Sequence, residues 1–162
     1  MKTAAGIAPV SKMLQAGINV GLGTDGAASN NDLDMWEEIR LAALLQKVNL
    51  MDPEVMPARA VLTMATLGGA RAIGMSDSIG SLAVGKRADI IQVSFDDVHF
   101  VPAYDVISHL VYVADEQDVT SVVVDGKLLM MDKEVLTIDT ARVKKEATEL
   151  AARIQKALSQ RP

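Results

Sequence analysis

The amino-acid sequence predicts an α/β fold, in which helices pack against a sheet. A helix, a short strand, a polar loop and a second helix follow one another in the first 48 residues. The chain of 162 residues is 49% hydrophobic but only 3% aromatic, and it contains nine methionines. A core of Ala, Leu, Val, Ile and Met suits helices on a sheet better than a small all-β sandwich. By length alone, the chain is expected to form one domain of the commonest size.

The charge balance and the cysteine count exclude several classes of function. Lys and Arg number 16 against 21 Asp and Glu, which gives a formal net charge of −5 and argues against a nucleic-acid partner. The absence of cysteine excludes disulfides and thiolate metal sites, and it suits a reducing cytoplasm. Neither a secretory leader nor an apolar run long enough to cross a membrane is found, so we expect a cytoplasmic protein without a membrane partner.

The first elements are predicted from periodicity and from glycine and proline positions. Residues 8–16 place apolar side chains on one helical face after Pro9, and Gly17 is the expected stop. Residues 19–22 are predicted to form a short strand. Residues 23–32 are predicted to form a polar loop.

Two longer helices follow. The apolar spacing over 34–48 predicts a helix, for which Asn31 or Asp32 is a candidate N-cap. The segment 57–73 predicts a second helix. Two adjacent glycines, Gly68 and Gly69, lie inside this helix, and close backbone packing would compensate for their low helix propensity.

The second half is predicted to be richer in β structure. Strands are expected at 80–82, 88–93, 120–124 and 127–131, and helices at 105–113 and 139–158. The dipeptide Asp125-Gly126 separates two β-prone runs, which predicts a hairpin with a type I′ turn.

Two glycine motifs resemble phosphate-binding loops only superficially. Residues 21–26 match G-x-G-x-x-G, but a polar loop stands where the anion-binding helix should begin, and the neighbouring aspartates would repel a pyrophosphate. Residues 80–86 match G-x-x-x-x-G-K, but Arg87 replaces the required Ser or Thr and a strand follows. We interpret the second motif as a turn between two short strands. The first is interpreted as the end of the predicted strand and the start of the polar loop, with dinucleotide binding as an alternative.

The histidines show no metal-binding spacing. His99 and His109 are not arranged as two ligands on one helical turn, and no partner is evident near either in the sequence. Structural or partly exposed roles are therefore predicted for both. Asp105 is expected to cap a helix and Asp118 to lie in a loop.

Asp25 is the leading candidate for a catalytic residue. It follows the predicted strand by a few residues and is flanked by Gly23 and Gly26. Catalytic groups of α/β folds occupy such positions at the carboxyl ends of strands. A turn aspartate fits the same residues equally well, so the local pattern does not decide between the two roles.

Four segments, taken together and in order, resemble the amidohydrolase superfamily. They are 17–34 (GINVGLGTDGAASNNDLD), 64–74 (MATLGGARAIG), 79–90 (IGSLAVGKRADI) and 122–127 (VVVDGK). The likeness is to the branch that contains methylthioadenosine/S-adenosylhomocysteine deaminases and triazine hydrolases. It implies that Asp25 ends strand eight of a (β/α)₈ barrel, ligates a catalytic divalent metal ion and transfers protons.

The resemblance also implies a domain organisation. Residues 1–75 would be the C-terminal portion of the (β/α)₈ TIM barrel, containing helix seven, strand eight and the following helices. Residues 76–138 would be part of a small composite β-sandwich domain, and 139–162 a C-terminal helix. Since a complete barrel needs roughly 250 residues, the chain is expected to be the C-terminal fragment of a longer metal-dependent hydrolase.

The implied chemistry is metal-assisted hydrolysis of a C–N bond. The small-molecule substrate would be a purine nucleoside such as methylthioadenosine or S-adenosylhomocysteine, and the cofactor one divalent ion, zinc. The family takes four further ligands from histidines, whereas this chain has two histidines, both after Asp25. The isolated chain is therefore expected to bind no stoichiometric catalytic metal and to be inactive. A natural non-catalytic interaction or regulatory domain derived from this family is the alternative.

Two further expectations concern surfaces. An unpaired barrel strand and half of a sandwich leave free edges, so self-association into a homo-oligomer is predicted. Asn30 and Asn31 are candidates for the mouth of the substrate pocket, although capping of the next helix would explain them equally well.

Overall fold

The computed structural model describes residues 4–160. The first three residues of the predicted segment 1–75 and the last two of the predicted segment 139–162 lie outside the described residues. The helices are α1 (Val10–Gln15), α2 (Ala27–Asn30), α3 (Met35–Leu50), α4 (Ala58–Thr63), α5 (Gly69–Ala72), α6 (Val106–Tyr112) and α7 (Thr140–Ser159). The strands are β1 (Ile90–Val93), β2 (Val119–Val124), β3 (Lys127–Met131) and β4 (Glu134–Val135). A π-helical turn, Met64–Gly68, joins α4 to α5, and short 3₁₀ helices lie at Val98–Phe100 and Glu116–Asp118. The predicted helices are thereby confirmed within a few residues of their ends.

The N-cap of α3 differs from the prediction. The carboxylate of Asp34 accepts hydrogen bonds from the backbone N–H groups of Trp36 and Glu37, at 2.7 and 3.2 Å. Asp32 in turn accepts from the backbone N–H of Asp34 at 3.1 Å, so it orders the approach to the helix and does not cap it. Neither Asn31 nor Asp32 is the cap, because Asp34 is the residue with extended backbone directly before the first helical turn.

The predicted strand at 19–22 is not hydrogen-bonded as a strand in the described residues. Burial still alternates along it, as in an extended segment: Val20 and Leu22 are half-buried, whereas Gly21 and Gly23 are exposed. A strand requires a ladder partner, and residues 4–160 place none beside this segment. The sequence pattern therefore predicted the local conformation correctly, but the strand assignment is wrong for this chain.

The paired glycines allow two backbones to touch. A Cβ on Gly21 would lie 2.8 Å from the Cα of Gly69, and one on Gly68 would lie 3.1 Å from the carbonyl oxygen of Val20. Real Cβ atoms essentially never approach backbone atoms more closely than 3.0 Å. The close packing predicted for Gly68 and Gly69 is confirmed, and its partner is the extended segment that ends at the Asp25 loop.

The core lies between α3, α4 and α6. Val61, Phe100 and Val111 are its largest fully buried side chains. Arg40 of α3 reaches the end of α6, where its guanidinium donates hydrogen bonds to the carbonyl oxygens of Val113 and Ala114 at 3.3 and 2.7 Å. This contact satisfies carbonyl groups that the end of a helix leaves without partners. Because α3 belongs to this core and directly follows the loop that carries Asp25, the loop is joined to a well-packed part of the protein.

The second half forms a four-stranded antiparallel sheet with the order β1-β2-β3-β4. The predicted hairpin is confirmed, and its turn residues Asp125 and Gly126 have positive φ of 50° and 76°, as a type I′ turn requires. A second tight turn at Asp132 and Lys133, which the sequence pattern did not predict, adds β4. The predicted strand at 80–82 is wrong, because those residues form bends and turns without strand pairing.

The last helix, α7, is amphipathic and has no buried residue. Asp139 caps it by accepting a hydrogen bond from the backbone N–H of Arg142 at 2.9 Å. Its apolar side chains Val143, Leu150 and Ile154 are 46–50% exposed. Throughout residues 4–160, each helix is too short or too polar to span a lipid bilayer.

We expect the isolated chain to self-associate. The unpaired segment at 19–22, the outer edges of β1 and β4 and the apolar face of α7 are all open to contact with another chain. Light scattering should therefore give a mass above that of the monomer, rising with protein concentration. A strictly monomeric species at high concentration would contradict this expectation.

Candidate active-site loop

Asp25 lies at the point where the extended segment ends and the chain turns into α2. Its side chain is exposed, and its backbone is left-handed, with φ of 59°. Aspartate tolerates this conformation better than most residues, because its short polar side chain forms local hydrogen bonds. The turn therefore projects an exposed carboxylate from the end of the segment.

Two hydrogen bonds fix the Asp25 carboxylate. The backbone N–H of Gly26 donates to Oδ1 at 2.7 Å, and the hydroxyl of Ser29 donates to Oδ2 at 2.6 Å. The bond from Ser29 and then the bond from Gly26 lower the pKa of Asp25 below its usual value, because both stabilise the charged form. The side chain is thus an oriented anion at neutral pH.

Asn30 ties the same loop to α3. Its amide Nδ2 donates to the carbonyl oxygen of Thr24 at 3.0 Å and to Oε1 of Glu38 at 2.9 Å. The Thr24 hydroxyl also donates to the backbone carbonyl of Asp25 at 3.1 Å. These contacts hold both sides of Asp25, so Asn30 acts as a loop anchor and is not the N-cap of α3. An open cleft of about 380 Å³ lies beside the contact between Asn30 and Glu38 and is lined in part by Leu22 and these two residues.

The donor set at this loop fits one ligand of a metal site. A carboxylate offers about four lone-pair positions, and the bonds from Gly26 and Ser29 occupy one on each oxygen of Asp25. Each oxygen therefore keeps acceptor capacity for a cation. Among residues 4–160, however, no group of three or more His, Cys, Asp or Glu side chains could hold a metal ion. Since zinc takes at least three protein ligands, Asp25 does not complete a site with the residues described.

The histidines have structural partners. His99 Nε2 lies 3.2 Å from Oδ2 of Asp118, a buried carboxylate that also accepts the backbone N–H of Asp115. The sequence revealed no partner for His99, because the 3₁₀ helix is what carries Asp118 into the protein against a residue distant in the chain. The prediction that Asp118 is a loop residue is wrong for the same reason. His109 Nδ1 contacts the backbone oxygen of Asp105 at 2.9 Å.

The predicted cap at Asp105 is present. Its carboxylate accepts the backbone N–H of Ser108 at 2.7 Å, so the helix cap is confirmed. The hydrogen bonds of Asp25 involve neither histidine.

The glycine motif at 80–86 contains bends and turns, whereas the motif at 21–26 runs from the extended segment into the loop that carries Asp25. Lys86 donates to the carbonyl oxygen of Ser76 at 2.5 Å and to the hydroxyl of Ser81 at 2.8 Å, so it closes its own loop. After Gly26, the helix α2 has only four residues. A dinucleotide fingerprint requires a full helix at this position, whose N-terminus binds the pyrophosphate.

A family assignment accounts for this arrangement of an extended segment, a glycine-packed helix and a carboxylate at the turn. Residues 1–129 match the sequence model of the Amidohydrolase family. The chain therefore belongs to the amidohydrolase family, a class of hydrolases, as its motifs predicted.

Two of the similar curated proteins in this family are deaminases. The chain is 54% identical over 154 residues to 5-methylthioadenosine/S-adenosylhomocysteine deaminase from Desulforudis audaxviator, covering 95% of this chain and 36% of that protein. It is 52% identical over 151 residues to 5'-deoxyadenosine deaminase from Methanosarcina barkeri, covering 93% of this chain and 34% of that protein. The chain thus spans about a third of the length of the relatives it matches.

Solved structures confirm the fold class. An adenosine deaminase from Xanthomonas campestris with bound zinc superposes with a TM-score of 0.91 at 41% identity, covering 94% of this chain and 35% of that one. Atrazine chlorohydrolase from Arthrobacter aurescens TC1, complexed with zinc, gives 0.80 at 35% identity, covering 90% and 32%. The predicted resemblance to the branch that contains such deaminases and triazine hydrolases is confirmed.

Proposed function

We propose that this chain supplies the Asp25 carboxylate to the active site of a metal-dependent hydrolytic deaminase, of which it forms the C-terminal part. The observation that carries the proposal is the position of Asp25, an exposed anion held by Ser29 and Gly26 at the end of the extended segment. The deaminase relatives support it, because they match this chain over more than nine-tenths of its length.

The proposed assembly keeps the predicted boundaries. Residues 1–75 would complete a (β/α)₈ barrel with helix seven, strand eight and the following helices. Residues 76–138 would form part of a composite β-sandwich, and 139–162 the C-terminal helix. The open ladder positions of the extended segment are consistent with this assignment, because a barrel strand has a neighbour on each side.

The proposed reaction replaces an exocyclic amino group of a purine nucleoside by oxygen. Zinc, which we propose as the cofactor, would supply Lewis acidity toward the attacking water when bound. Asp25 would contribute one oxygen to the metal and use its carboxylate to take a proton from the water and pass it to departing ammonia. The substrate class we propose is that of methylthioadenosine and S-adenosylhomocysteine, and a cytoplasmic homo-oligomer remains our prediction for the assembled enzyme.

A chimera provides the test. In it, this chain replaces the matching 154-residue segment of the Desulforudis audaxviator relative. We expect the chimera to release ammonia from methylthioadenosine or S-adenosylhomocysteine, and the isolated chain to release none above background. Ammonia release and the ultraviolet change from an adenine to a hypoxanthine ring measure the reaction.

Two outcomes would contradict the proposal. A chimera that folds and binds zinc like its parent but releases no ammonia would favour the alternative, a non-catalytic domain derived from the family. Turnover by the isolated chain that is abolished by Asp25→Asn would show instead that the described residues form a complete site.

A further inference from the structure

We propose that Ser29 is a positioning residue that sets the orientation of the Asp25 carboxylate. The inference rests on the proposed function of Asp25 and assigns a separate role to a second side chain. Ser29 lies on α2, four residues after Asp25, and its side chain is half-buried.

The distances indicate where the Ser29 proton is. Its hydroxyl oxygen lies 2.6 Å from Oδ2 of Asp25 and 3.0 Å from the carbonyl oxygen of Gly26. A hydroxyl has one proton to donate, and the shorter separation is typical of a hydroxyl bound to a charged carboxylate. The hydroxyl therefore donates to Oδ2 of Asp25.

Two donors are needed to fix a carboxylate plane. The backbone N–H of Gly26 holds Oδ1 of Asp25, but a single bond would allow the carboxylate to pivot about it. Ser29 holds the other oxygen, so the two donors together define the direction of the acceptor positions that remain open. Groups that orient metal-binding side chains in this way typically change metal affinity or activity by about 10–100-fold when they are removed.

The short helix α2, which carries Ser29, is itself held in place. Its neighbour Asn30 bridges the Thr24 carbonyl and the Glu38 side chain, so α2 cannot shift freely relative to α3. The Ser29 hydroxyl is thus a donor on a restrained helix. It faces the side chain of Asp25, whose backbone is left-handed. This placement favours a positioning role over a local turn contact that only stabilises α2.

The test uses Ser29→Ala in the active chimera, with Ser29→Thr as the conservative variant. We expect Ser29→Ala to lower kcat by about 10–100-fold with little change in KM, and to weaken zinc binding, measured by chelator competition, by about 10–100-fold. Ser29→Thr keeps the hydroxyl and should restore most of both values. Ser108→Ala, at a half-buried serine of the short helix α6, is the matched control and should change neither.

The outcomes separate this inference from the proposed function. If Asp25→Asn leaves the chimera fully active, the proposed function of Asp25 fails and this inference fails with it. If Asp25→Asn is inactive while Ser29→Ala keeps the parental kcat and zinc affinity, only the positioning role is overturned. A loss in Ser29→Ala that follows a lowered melting temperature, and that Ser29→Thr does not restore, would also overturn it.

Discussion

Asp25→Asn should lower kcat of the chimera by about 1,000-fold or more. Proton transfer by a positioned side chain alone contributes about 10²–10⁴-fold, and asparagine can neither take a proton nor carry the negative charge that a metal ion requires. The substitution keeps the shape of the side chain, and its remaining oxygen can still accept the backbone N–H of Gly26. The expected loss is therefore chemical and is not a loss of fold.

The measurement is the steady-state rate of ammonia release, together with zinc content and circular dichroism of the same samples. Asp32→Asn is the matched control, because Asp32 is exposed on the same loop and an asparagine oxygen can still accept the N–H of Asp34. We expect Asp32→Asn to retain the parental rate. Parental activity in Asp25→Asn would assign the residue to the turn alone, which is the other role the sequence left open.

Gly21→Ala should destabilise the chain by about 1–3 kcal/mol, the usual cost of forcing an extra group into a packed site. The new Cβ would lie 2.8 Å from the backbone Cα of Gly69, and backbone cannot move aside as a flexible side chain can. Either the extended segment or the glycine-containing helix must then shift. Urea unfolding of the unsubstituted chain and of Gly21→Ala measures the difference in the free energy of unfolding, from the two midpoints when the slopes are equal.

Gly23→Ala is the control for that experiment. Gly23 directly follows the extended segment at 19–22, its φ is not in the left-handed region, and a Cβ there would meet no atom within 4 Å. We expect its effect on the free energy of unfolding to stay within about 0.5 kcal/mol, as for substitutions outside packed sites. Equal unfolding midpoints for Gly21→Ala and Gly23→Ala would contradict the close backbone contact.

The elements that the sequence predicted well are those governed by local physics. The hairpin depends on one dipeptide, Asp125-Gly126, whose residues adopt left-handed backbone in any context that lets the flanking strands pair. The helices follow apolar spacing and nearby caps such as Asp105 and Asp139. Asp25 became the candidate through the resemblance of residues 17–34 to the amidohydrolase superfamily, because a carboxylate between glycines after a predicted strand fits a turn role equally well.

The contact between Ser29 and Asp25 is not predicted by local pattern. Residues 23–32 were predicted as one polar loop, so the spacing of four residues between Asp25 and Ser29 carried no meaning. Only the short helix α2 brings the Ser29 hydroxyl back to the carboxylate. An Asp and a Ser four residues apart after a Gly-Thr-Asp turn are the signal that could have revealed it.

The sequence by itself determined the family, the order of the elements and the residue that most resembles a catalytic group. Tertiary structure decided which of these elements have partners. It left the segment at 19–22 without a ladder, paired His99 with Asp118, and pressed Gly21 against Gly69. Each of these features depends on a contact, made or absent, between residues far apart in the chain. Local sequence pattern carries no information about such contacts. The chain thus encodes one carboxylate of the proposed site locally, while completing that site depends on contacts that residues 4–160 do not make among themselves.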